Sequence, residues 1–104
     1  MYQGEETGHH QWAAELHRLK GIALSALNRL EEAHSALEEA LRIARRQQAK
    51  AYELRAATSL ARLWGERGRR AEASDLLAPV YGWFTEGFDT ADLKEAKALL
   101  DQLA

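Results

Sequence analysis

Arg55 and Arg62 stand seven residues apart, close to two turns of an α-helix, so both guanidinium groups would project from one side of it. A guanidinium is a planar fork that can engage both oxygens of a carboxylate, and the chemistry suggested is recognition of an acidic group. The other reactive residue types lack the spacing that reaction requires. Of the four histidines, His9, His10, His17 and His34, no two stand four residues apart on a helix face, and there is no cysteine to complete a site, so no metal is expected. His17 reads instead as an interhelical hydrogen-bonding residue. Ser25, Ser35, Thr58, Ser59 and Ser74 carry no motif that would activate a nucleophile. The carboxylates fall at helix starts or among arginines at helical spacing, where a solvated face accounts for them. No catalytic residue and no cofactor is expected, and the chain reads as a non-enzyme.

Trp64, Tyr81, Trp83, Phe84 and Phe88 form the one aromatic concentration. Base stacking would need accompanying positive charge, so these side chains are read as core around a fourth helix, with Phe88 as a loop anchor that folds back. The 14 basic and 16 acidic residues give a net charge of -2 and are spread along all 104 residues. Neither nucleic acid nor an anionic membrane is an implied partner. No apolar run is long enough to span a bilayer, no signal peptide opens the chain, and cysteine is absent, which together point to a soluble cytoplasmic protein.

These residues must be positioned by helices. Residues 1–8 are polar, contain Gly4 and Gly8, and read as a flexible lead-in; residues 9–104 read as a single helical domain. In the first helix, from about His9 to Leu27, the three- and four-residue spacing of Trp12, Leu16, Leu19, Ala23, Ala26 and Leu27 predicts a buried face. Asn28 suits the left-handed conformation that ends a helix. The second helix carries Leu30, Ala33, Leu37, Ala40, Leu41 and Ala44 inward, with Glu31 and Glu32 in its first turn and Arg42, Arg45 and Arg46 in its last, as the macrodipole favours. A third helix places Leu54, Ala57, Leu60, Ala61 and Trp64 inward before Gly68 closes it. A fourth carries Ala73, Leu76, Leu77, Val80, Tyr81 and Phe84 across Pro79, where a kink is expected. Asp89 or Thr90 caps a fifth, which buries Leu93, Ala96, Leu99, Leu100 and Leu103.

Asn28, Arg29, Glu32, Ala33 and Leu37 return forty positions later as Gly68, Arg69, Glu72, Ala73 and Leu77, and Ala56, Leu60 and Leu63 return as Ala96, Leu100 and Leu103. The order is A-B, A-B, A: a hairpin over 9–47, a hairpin over 49–84 and a final helix over 90–103. Gly21, Leu24, Ala33, Leu37 and Ala40, and their counterparts Ala61, Trp64, Ala73, Leu77 and Val80, resemble the small and large positions of the tetratricopeptide repeat. The usual repeat is shorter, at 34 residues, so these helices should be about a turn longer. The resemblance implies an all-α fold of antiparallel helical hairpins forming a short right-handed solenoid. The stretches 15–21, 53–64 and 77–89 further resemble the C-terminal helical tail of large bacterial signalling proteins that join a cyclase or DNA-binding domain to an ATPase domain. Nothing here matches the phosphate-binding loop or the carboxylate pair of those enzymes.

In tetratricopeptide arrays the A helices line a concave groove, at positions equivalent here to Glu15, Arg18, Ile22 and Ser25, then Arg55, Thr58, Arg62 and Glu66. The resemblance therefore implies a protein-binding groove for an acidic peptide or another domain of the same polypeptide. The competing reading is that the arginines form ion pairs with Glu15, Glu66 and their neighbours. The expected function is a non-catalytic protein–protein interaction module of a bacterial signalling protein. The alternative is a structural cap or homo-oligomerisation segment of a longer solenoid, with helix one or helix five as the surface for self-association.

Overall fold

The computed structural model describes the backbone of residues 3–104 and the side chains from Trp12 onward. Five α-helices follow one another: α1 (Gln3–Ala26), α2 (Leu30–Arg46), α3 (Lys50–Glu66), α4 (Arg70–Gly82) and α5 (Ala91–Leu103). Helix α1 is counted from Gln3, ahead of the start suggested at His9. The lead-in assigned to residues 1–8 lies outside the described side chains.

The connections are made by a recurring cap. Asn28, Gln48 and Gly68 have φ of 62°, 56° and 82°, twenty residues apart each time. After each, the next residue donates its N–H back five positions: Arg29 to Leu24 O at 2.9 Å, Ala49 to Ala44 O at 2.9 Å and Arg69 to Trp64 O at 2.8 Å. This is the bond that satisfies a terminal helix carbonyl when one residue turns left-handed. Glycine and asparagine enter that conformation with little strain; Gln48 does so without either advantage, and for that reason its turn carries no sequence signal. The chain re-enters a helix at Arg29 and Arg69 in the same way. Arg29 binds both oxygens of Glu32 at 2.6 and 2.7 Å, and Arg69 binds both of Glu72 at 2.7 and 2.9 Å. The fourth turn differs: Gly87 takes the positive φ, of 79°, and the Thr90 hydroxyl accepts from the Leu93 N–H at 3.5 Å to start α5.

Helices α1, α3 and α5 adjoin in sequence as one layer, while α2 packs on α1 and α3, and α4 on α3 and α5. The thinnest dimension is 19 Å, the depth of two helix layers at about 10 Å each. Between the layers, Ala33, Ala40, Ala57, Ala61 and Ala73 have no exposed surface, and Leu37, Leu54, Leu60 and Leu77 are the largest wholly buried side chains. Alanines let the backbones approach and leucines fill what remains, as close packing requires. Pro79 does not end α4, which continues to Gly82. Both Pro79 and Asp75 are exposed, so the carbonyl that proline leaves without an intrahelical donor lies on the solvent side.

The face expected to be buried on α1 is the reverse of the one that is. Trp12, Leu16, Leu19 and Leu27 are 63%, 58%, 47% and 66% exposed, and Ala23 and Ala26 are exposed as well. The contact with the rest of the protein is made by Ala14, Gly21 and Leu24. Helix α1 is apolar on two faces; its inner face packs through Ala14 and Gly21, too small to dominate a hydrophobic pattern, and through Leu24, which with Gly21 holds the tetratricopeptide-like packing positions.

Candidate functional site

The layer of α1, α3 and α5 carries a polar network that crosses all three helices. Arg18 on α1 donates from Nε and Nη2 to the two Glu15 oxygens at 3.1 and 2.6 Å, and from Nη1 to the Ser59 hydroxyl of α3 at 3.5 Å. Glu15 Oε2 is also 3.7 Å from Arg55 Nη1 on α3. Arg55 Nε in turn donates to Asp92 on α5 at 2.8 Å, and its guanidinium carbon stands 5.5 Å from the centre of the Tyr52 ring. One turn along α5, Glu95 accepts from Arg62 Nη1 at 2.7 Å. The hydrogen bond from Arg18 holds the Glu15 carboxyl below the usual range against the opposing effect of its burial, helped by the charges of Arg18 and Arg55. The bond to Asp92 pushes the Arg55 guanidinium further up, so both groups are charged at neutral pH.

Of the expected groove residues, Arg18, Ile22, Ser25, Arg62 and Glu66 come together around one cavity of about 170 Å³, joined by Ser59, Leu63 and Glu95. Glu15 and Arg55 lie in the network beside it. Thr58 turns away: it is buried and donates to the Leu54 carbonyl of its own helix at 2.7 Å, so its hydroxyl is not offered to the groove. Asp92 and Glu95 were not anticipated as partners. Their signal in the sequence is a carboxylate pair one helical turn apart, but only the docking of α5 on α3 brings that pair to Arg55 and Arg62.

Elsewhere the reactive side chains are held structurally. His34 stacks on Trp64 with centroids 5.8 Å apart, and Arg69 covers Trp64 at 4.6 Å. Phe88 folds back against Tyr81 at 5.8 Å but stays exposed, so it is not part of the core. Trp83, expected in the core, is exposed with Lys50 over its ring at 5.2 Å. No hydrogen bond joins His17 to another helix among the described residues; its surroundings are a shallow cavity shared with Lys20, Glu31, Glu32 and Glu39. Among the described residues no three His, Asp or Glu side chains are grouped to hold a metal, and His9 and His10 lie outside them. No described helix is long and apolar enough to cross a membrane.

Residues 20–46, which comprise the end of α1, the Asn28 turn and α2, match a family model described as tetratricopeptide repeat. No curated protein and no solved structure matches the chain. Tetratricopeptide repeats generally mediate protein–protein interactions and are typically non-catalytic. With that match falling on the first hairpin and the same hairpin geometry returning forty residues later, the fold is a tetratricopeptide-like helical repeat.

Proposed function

We propose that this chain is a non-catalytic interaction module, a scaffold or regulatory tail of a bacterial signalling protein in the cytoplasm. Its groove of α1, α3 and α5 takes an acidic segment of a partner protein or of another domain of its own polypeptide. The observation that supports this is that Arg55 and Arg62 already hold two carboxylates one helical turn apart, Asp92 and Glu95, at 2.8 and 2.7 Å. An external acidic segment would use the same chemistry. Arg62 donates from Nη1 alone, so the rest of its fork remains to donate to a second carboxylate, and the exposed Ile22 beside it offers an apolar contact. Calorimetric titration with a peptide carrying two glutamates one helical turn apart tests the reading. Binding should weaken about tenfold in Arg62→Ala, the loss of one charged hydrogen bond. Unchanged affinity in both Arg55→Ala and Arg62→Ala, with helical circular dichroism retained, would remove the arginines from the site.

A second reading is favoured by the outer face of α5. Lys94, Lys97, Asp101 and Gln102 are exposed there, and Lys97 pairs with Asp101 at 3.2 Å. A polar outer face is what closes a helical stack. On this reading the chain caps a longer solenoid and has no separate ligand, and no acidic peptide would bind at all.

A further inference from the structure

The large apolar side chains left open are concentrated on one helix. Of the seven described, Trp12, Leu16, Leu19 and Ile22 belong to α1 and Leu27 follows its last residue. Trp12, Leu16, Leu19, Ala23 and Ala26 also succeed one another at steps of four, three, four and three, the seam by which one helix packs lengthwise on another. The fold shows what this face does when it is covered. A forty-residue step carries Leu16 and Ala23 onto Ala56 and Leu63 of α3, and another carries these onto Ala96 and Leu103 of α5. All four are buried within the continuous core where each helix lies on the hairpin before it. On α1 the same face is open.

We propose that α1 pairs along this seam with α1 of a second copy of the chain, antiparallel, about a two-fold axis close to Leu19. The seam is complementary to itself in that direction. Trp12 meets Ala26, Leu16 meets Ala23 and Leu19 meets its mate, so that bulk faces space at each level. No other described surface offers such a seam. The outer face of α5 is polar, and the two remaining exposed aromatics are engaged locally, Trp83 edge-on to Phe84 at 5.1 Å and Phe88 against Tyr81. Two stripes of about 400 Å² each, within the range of the largest patch on an ordinary monomer, would bury about 800 Å² together. That is below the size of a standard specific interface, so the dimer should dissociate on dilution.

Sedimentation equilibrium of the full chain tests this from the low micromolar to the submillimolar range, alongside Leu16→Glu, Leu19→Glu and Arg62→Ala. Both leucines are exposed in the single chain, so the glutamates should leave the helical circular dichroism unchanged. The expected result is a reversible monomer–dimer equilibrium, weakened at least about tenfold by each glutamate and unaffected by Arg62→Ala, which separates this face from the groove. A monomer at every concentration would overturn the proposal and leave the seam to a helical hairpin of a different chain. Association that ignores both glutamates, or that continues past the dimer, would overturn it as well.

Discussion

Leu37 lies so close across Gly21 that a Cβ placed on the glycine would stand 2.6 Å from its Cγ and 2.7 Å from its Cδ2. Leu37 is buried and cannot swing aside, so Gly21→Ala forces α1 and α2 apart. Overpacking of this kind costs about 1–3 kcal/mol, against a gain of at most about 1 kcal/mol from replacing a helical glycine. A net loss of about 1–2 kcal/mol should appear as a lower urea midpoint. The second hairpin has Ala61 at the equivalent position, opposite Leu77, and accommodates the methyl group without exposure.

Leu60 and Leu19 are the same residue type on neighbouring A helices, and they should respond differently to truncation. Leu60→Ala empties a wholly buried site and should cost about 2–5 kcal/mol. Leu19→Ala, measured by urea denaturation at a concentration where the chain is monomeric, should change stability by less than about 0.5 kcal/mol. Equal losses would mean that the outer face of α1 is covered in the folded monomer.

That contrast also marks where the sequence could be read and where it could not. Helix positions, the turns at Asn28 and Gly68 and the cores of α2, α3 and α5 follow from apolar spacing and residues suited to a left-handed cap. The orientation of α1 does not, because periodicity weighs large side chains and cannot distinguish a face that packs within the chain from one that is left open. Gly21 marks the true inner face, but a single glycine contributes nothing to a hydrophobic stripe. The groove was legible in the same partial sense. Arg18, Ile22 and Arg62, which the repeat resemblance assigns to one surface, line one cavity, while the Thr58 hydroxyl bonds the Leu54 carbonyl within the core. The carboxylates that meet the arginines belong to a helix whose docking angle no local pattern encodes.

Glu15 links acidity to stability. Its folded pKa lies below that of the unfolded chain, chiefly through the hydrogen bond from Arg18, so the carboxylate contributes stability that is complete above the ordinary glutamate value of about 4.3. It is lost as pH falls through the lower, folded value. Wild type should therefore exceed Glu15→Gln in urea stability at pH 7, and the difference should shrink as pH is lowered through the acid range. A difference independent of pH would show that packing, and not charge, is what Glu15 supplies.

Thr90→Ala removes the hydroxyl that accepts from Leu93 at the start of α5. The bond is long at 3.5 Å, so the expected cost is at the low end for a helix cap, about 0.5 kcal/mol. Hydrogen exchange should locate it: amides in the first turn of α5 exchange faster, while those of α1 and α2 are unchanged.

The left-handed residues at 28, 48 and 68 set the increments in which such a chain can change length. One residue gained or lost inside a helix rotates everything beyond it by about 100° and turns its apolar face outward. Twenty residues, a helix with its turn, restore the rotation but deliver the following helices upside down. Forty bring them back upright. Growth by whole duplicated hairpins is thus the step that leaves every downstream contact intact, and the identical Arg29–Glu32 and Arg69–Glu72 clamps are what a sequence built by that step retains.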